Sequence, residues 1–136
     1  MLKRLSLALL APVLILSTAA WHSQGVRSPA AGRVIVVKAV EVSATSFKFQ
    51  PAEVTVIPGD TVRFVQTSAM PHNVEFTKTP SGSKLGATKV GPYLAAPNQT
   101  YDVVIDARFP SGQYKYICTP HVSLGMKGTI SVATLE

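Results

Sequence analysis

From Arg33 to Thr134, apolar side chains recur at every second position in short runs, and the runs are punctuated by Pro, Gly, Asn and Asp. A period of two belongs to a strand with one buried face, whereas a helix would repeat every 3.6 residues. VIVVKAVEV (34–42) is β-branched, Phe47 and Phe49 flank Lys48 until Pro51, and EVTVI (53–57) stops at Pro58-Gly59-Asp60. TVRFVQT (61–67) sets Val62 and Phe64 on one face and Arg63 and Val65 on the other. HNVEF (72–76) places His72, Val74 and Phe76 on a common face, with Asn73 and Glu75 opposite. TYDVVID (100–106) turns Tyr101, Val103 and Ile105 inward. QYKYIC (113–118) does the same for Tyr114, Tyr116 and Cys118, and GTISVAT (128–134) for Ile130 and Val132. Residues 78–98 carry neither period and are rich in Gly and Pro, which predicts irregular structure with one short helical turn. Seven or eight short strands with no helix and no internal repeat predict an all-β antiparallel sandwich.

The first 20 residues have a different composition. Lys3 and Arg4 precede an apolar run from Leu5 to Leu16, and Ser17 to Ala20 are small, which reads as a secretory signal peptide. The run is shorter than the roughly 20 residues a membrane span needs, so no span is expected after cleavage. There is no Arg-Arg pair and no cysteine after the run, which favours general secretion over twin-arginine export or lipid anchoring. Residues 21–32, WHSQGVRSPAAG, read as a flexible lead-in, leaving 33–136 as the folded domain. His22 has no role in this reading unless cleavage follows Ala19. In that case a free amine, two amides and its imidazole could chelate Cu(II). Of the 13 basic residues, Lys3 and Arg4 leave with the leader, and against 7 acidic residues the remainder carries a net charge of +4. These charges are scattered, so nucleic acid is not an expected partner.

The chain has a single cysteine, so an exported form cannot make an internal disulfide, and a lone thiol outside the cell is open to oxidation. Cys118 is therefore either buried and inert or bound to a metal. Its surroundings favour the metal. Cys118, His121 and Met126 form a C-x2-H-x4-M series, and Pro120 and Gly125 let the backbone turn tightly enough for their side chains to converge. His72 can supply a second imidazole from upstream. Two imidazoles, a thiolate and a weak axial thioether are the ligand set of blue-copper centres. Zinc also takes Cys and His, but its structural sites do not use methionine.

On these residues the chain resembles the cupredoxins, in particular the plastocyanin and pseudoazurin branch. FKFQP, VIPGDTVRF, MPHNV, TPSG and APNQTYDV carry the likeness beside the Cys-His-Met loop, over roughly Val34 to Thr134. The resemblance implies a Greek-key sandwich of seven to eight strands. It also implies one copper ion, held by His72, Cys118, His121 and Met126 and cycling between Cu(I) and Cu(II). The implied function is to shuttle single electrons between a donor and an acceptor redox protein, without catalysis. It further implies a monomer with Asn73 bracing the cysteine loop near Thr119, and the signal peptide at 1–20 places it in the periplasm or outside the cell. His121 would be the electron port, ringed by Pro71, Pro120, Val122 and Leu124.

Two features depart from plant plastocyanins. Ile117 stands where those carry a tyrosine, and Glu75-Phe76-Thr77-Lys78 where they carry an acidic cluster, which argues against acidic docking to a photosynthetic cytochrome. One cysteine rules out binuclear copper domains and the disulfide-bearing phytocyanins and azurins, and three histidines are too few for a multicopper oxidase. The rival readings are a copper carrier or sequestration protein and a metal-free β-sandwich interaction module. Open methionine- or histidine-rich sites would mark the first. The second leaves the spacing around Cys118 unexplained.

Overall fold

The computed structural model describes residues 32–134. The leader at 1–20 and the lead-in at 21–32, apart from Gly32 and including His22, lie outside the described residues. Eight strands follow in chain order: β1 (Val34–Ser43), β2 (Ser46–Gln50), β3 (Glu53–Val56), β4 (Thr61–Gln66), β5 (Glu75–Lys78), β6 (Thr100–Val104), β7 (Gly112–Ile117) and β8 (Lys127–Val132). They form two four-stranded sheets, ordered β2-β1-β4-β6 and β3-β8-β7-β5. The expected sandwich is present, and each of its sheets is mixed. β1 runs parallel to β4 and β3 parallel to β8, while the remaining neighbours are antiparallel. Parallel neighbours cannot be joined by a tight hairpin. Here β3 crosses to the opposite sheet and the chain returns to lay β4 beside β1.

The period-two pattern becomes the core. Val62, Phe64 and Gln66 of β4, Phe47 and Phe49 of β2, Tyr114 and Tyr116 of β7, and Ile130 and Val132 of β8 all point between the sheets. Tyr116 is the hub. Phe49, Phe64 and Phe76 meet its ring edge-on, with centroids 5.0, 5.2 and 6.0 Å away, the arrangement that aromatic quadrupoles favour. Tyr101 is only half-buried and packs against the rim of the core beside Phe64. Within residues 78–98 the single helical turn is a 3₁₀ turn at Gly86–Lys89.

HNVEF is not one strand. β5 begins at Glu75, and His72 instead exchanges both backbone hydrogen bonds with Leu94, at 3.1 and 2.7 Å. Freed from the pleat, His72, Asn73 and Val74 are all buried, so Asn73 does not face outward as strand alternation would have it. Its amide is turned in to hold Thr119.

At the turn closing β3, Gly59 has φ of 96°, a left-handed conformation suited to glycine. The neighbouring Asp60 is buried and accepts from the Arg33 N–H (2.9 Å), Arg33 Nε (3.2 Å), Arg33 Nη2 (2.5 Å) and the Ile57 N–H (3.0 Å). The Arg33 guanidinium, more than any other group, holds the Asp60 carboxyl down at about 2. Asp60→Asn replaces an acceptor oxygen by a donor facing N–H groups, and should cost about 2 kcal/mol in urea unfolding. The carboxyl's folded value lies below its unfolded one, so its contribution is complete above about pH 4 and is lost as pH falls towards 2. The gap between wild type and variant should narrow over that acid window.

Candidate metal centre

β7 delivers Cys118 as its next inward residue after Tyr114 and Tyr116. A 3₁₀ turn at Thr119–Leu124, with Pro120 in its first positions, then carries His121, and Gly125 ends it with φ of 82°. The loop closes on itself. The Cys118 N–H donates to the Met126 carbonyl (3.0 Å), the His121 N–H to the Cys118 carbonyl (3.1 Å), and the Met126 N–H to the His121 carbonyl (3.2 Å). His72 arrives from the segment before β5.

The three side chains converge. Cys118 Sγ lies 3.4 Å from His72 Nδ1 and 3.4 Å from His121 Nδ1, and the two nitrogens are 3.0 Å apart. All three residues are buried. Separations of this size let all three atoms reach one ion at ordinary metal–ligand distances of about 2.0–2.3 Å. Met126 is fully buried as well, tied by its backbone to both Cys118 and His121.

Hydrogen bonds outside the cluster set the ring orientations. His72 Nε2 is 2.8 Å from Ser68 Oγ, whose own proton can go to the Met70 carbonyl at 3.3 Å. Nε2–H therefore donates to the hydroxyl, which leaves the Nδ1 lone pair facing the cluster. Buried Gln66 holds this loop by donating to the carbonyls of Met70 and Leu94. Asn73 Oδ1 accepts from the Thr119 N–H (2.8 Å), and Asn73 Nδ2 donates to Thr119 Oγ1 (3.0 Å), the brace the sequence likeness implied. His121 stacks on Phe47 with centroids 4.2 Å apart and planes 26° apart.

Phe47, Gln66 and Ser68 were not singled out from sequence. Gln66 carried a signal, because it is a polar residue in the inward register of Val62 and Phe64. Phe47 carried none, since its contact with His121 depends on how β2 crosses the loop.

Burial keeps the donors of the pocket uncharged. Burial raises the Cys118 thiol above its usual value, partly offset by the Asn73 and His121 backbone N–H groups that face the sulfur. Burial, with the His121 charge behind it, pushes His72 down to about 4. Both groups are thus held neutral in the folded chain, and a metal must displace the thiol proton to bind.

A β-sandwich that gathers two buried imidazoles, one thiol and a buried methionine at one end defines the cupredoxin class. Residues 36–133 match the family model of copper binding proteins of the plastocyanin/azurin family, and the chain belongs to that family. It is 37% identical over 137 residues to a plastocyanin of Synechococcus sp., covering 97% of this chain and 94% of that one. It is 41% identical over 86 residues to a plastocyanin of Scenedesmus fuscus, covering 62% and 85%. Among solved structures, a mutant fern plastocyanin superposes with a TM-score of 0.57 at 30% identity, over 72% of this chain and 99% of that one. A pseudoazurin from Sinorhizobium meliltoi gives 0.56 at 30% identity, over 74% of each chain. The family's metal is copper, and the soft sulfur and borderline nitrogen donors gathered here suit it.

In the metal-free protein, His72 should make folding sensitive to acid. Its folded value of about 4 lies below the unfolded value of about 6.5, so the unfolded chain takes up a proton first as pH falls. Stability should be flat above about pH 6.5 and decline by about 3 kcal/mol towards pH 4. Denaturant melts of wild type and His72→Gln, both metal-free, check this: the variant should lose much of that slope.

Proposed function

We propose that this chain is an exported carrier of single electrons that binds one copper ion through His72, Cys118, His121 and Met126. The observation that carries the reading is the buried triangle of Cys118 Sγ and the two Nδ1 atoms, 3.0 to 3.4 Å on a side. Bound copper supplies a one-electron couple between Cu(I) and Cu(II). Everything else is the work of the chain. The thiol gives up its proton on binding. Ser68 and Phe47 fix the two imidazole planes, and Asn73 fixes the backbone at Thr119. The closed Cys118–Met126 neck keeps the donors in place whatever the charge on the metal. With four protein donors no open position is left for substrate, which suits a carrier rather than an enzyme.

His121 is buried with 7% exposure, and the loop around it is apolar and open. Val122 and Leu124 are 47% and 42% exposed, and Pro71 and Pro120 are also exposed. Such a patch suits a small, short-lived contact with a redox donor or acceptor, since redox encounters fall at the low end of interface size. The composition of residues 1–20 supports export, and with it work in the periplasm or outside the cell. No helix among the described residues is long and apolar enough to cross a membrane.

Copper added to the purified protein should give an intense visible thiolate-to-copper band. Cys118→Ser should abolish that band while the fold survives, because the aromatic core around Tyr116 does not involve the metal. A variant that stays coloured sinks the ligand assignment. Leu124→Glu should leave the band intact and slow electron exchange with the physiological partner by about tenfold or more, measured by stopped flow. Unchanged exchange would move the port away from His121.

A further inference from the structure

We propose that Glu75 is a positioning residue for the sulfur ligand, acting through Thr119 and Asn73 on the hydrogen bond that reaches Cys118. The inference rests on the electron-carrier reading and adds to it a residue that tunes how strongly the sulfur donates to copper. Thr119 Oγ1 lies 2.9 Å from Glu75 Oε2 and 3.0 Å from Asn73 Nδ2, and the Thr119 N–H meets Asn73 Oδ1 at 2.8 Å. The polarity of each link is forced. The Thr119 N–H can only donate, so the carbonyl oxygen of Asn73 faces it and the amide nitrogen faces Oγ1. That nitrogen has only protons to offer, so Oγ1 accepts there. An ionised carboxylate only accepts, so the Thr119 hydroxyl proton goes to Glu75.

Among the described residues, Glu75 is the acceptor for that proton. In its absence the exposed Thr119 hydroxyl is free to turn, and orientations that aim its proton at Asn73 Nδ2 break the clamp. The backbone N–H of Asn73 faces the Cys118 sulfur, so an Asn73 held by Thr119 keeps that donor on the ligand atom. A carboxylate acceptor makes the first link of the chain strong, and linked hydrogen bonds polarise one another. Hydrogen bonding to a cysteine sulfur is one of the levers that set the potential of a copper–thiolate centre. A firm N–H draws charge from the sulfur and favours Cu(I), and a loose one favours Cu(II).

The base of the carboxylate is fixed. Glu75 opens β5, where its backbone pairs with Ile117 of β7 on one side and bridges to Val90 on the other. Ile117 leads directly into Cys118 and Thr119, so donor and acceptor are placed by the same pair of strands. The ion pairs among the described residues are Arg33–Asp60, Arg63–Asp102 and Arg108–Asp106, so none of them draws the half-buried Glu75 away from Thr119.

Two uncharged variants separate the hydrogen bond from the charge. Glu75→Gln keeps an acceptor oxygen, whereas Glu75→Val removes it and suits a strand. In the metal-free, 15N-labelled mature protein, the Asn73 amide should exchange with solvent about fivefold faster in Glu75→Val than in wild type. Glu75→Gln should restore exchange to within about twofold of wild type. In the copper protein, Glu75→Val should prefer Cu(II) over Cu(I) about threefold more than Glu75→Gln does, a reduction potential lower by about 28 mV. Its thiolate-to-copper band should also move to longer wavelength. Adding Thr119→Val to both variants should erase the differences between them. Equal exchange, potential and band in Glu75→Gln and Glu75→Val would reduce Glu75 to a surface charge and overturn the proposal. A difference that survives Thr119→Val would overturn the route through the hydroxyl. Amide exchange is read without metal, so it supports or overturns the clamp even if wild type forms no visible copper band, the result that would end the carrier reading.

Discussion

Two imidazole nitrogens and a thiol sulfur are held within 3.4 Å of one another and away from water. An unsupported chain would not keep them there, because each loses its hydration and gains only weak contacts with the others. The surrounding structure can be understood as the set of restraints that holds this arrangement. The neck between Cys118 and Met126 closes one side, and the paired hydrogen bonds of Asn73 to Thr119 join the other side to it. Leu94 pins His72 from outside both sheets. These restraints come from three stretches of chain far apart in sequence, so the site exists only when the sandwich is complete.

The two imidazoles are treated differently. His72 is sealed, with its outer nitrogen given to Ser68 and its backbone to Leu94. His121 rests flat on Phe47 inside a loop whose other side chains are exposed. One ring anchors the cluster to the core, and the other connects it to the surface. This division follows from the elements that carry them. His72 enters from the connection that crosses from β4 in one sheet to β5 in the other, whereas His121 belongs to a short turn after β7.

The same separation governs the rest of the polar chemistry. Arg33–Asp60 ties the start of β1 to the turn before β4. The exposed pairs Arg63–Asp102 and Arg108–Asp106 are surface contacts of small energetic weight.

Much of the site was legible in the chain. Cys118, His121 and Met126 stand close in sequence, so local backbone geometry decides most of their arrangement, and Pro120 and Gly125 are the residues such a turn needs. The strand faces were legible for a similar reason, since alternation records which side of a strand meets the core. Sheet order was not, because the parallel pairs β1–β4 and β3–β8 depend on crossings that leave no periodic mark. Asn73 shows the boundary between the two. Alternation put its side chain outside, and tertiary contact drew it inside, because the hydrogen bonds to Thr119 exist only once β7 is in place. The sequence by itself determined which atoms could bind a metal and which faces would be buried. Only the tertiary structure decided that His72 reaches Cys118 across 46 residues, that Phe47 backs His121, and that Asn73 holds Thr119. Those contacts come from packing between sheets, and no local pattern encodes the distance between residues far apart in the chain.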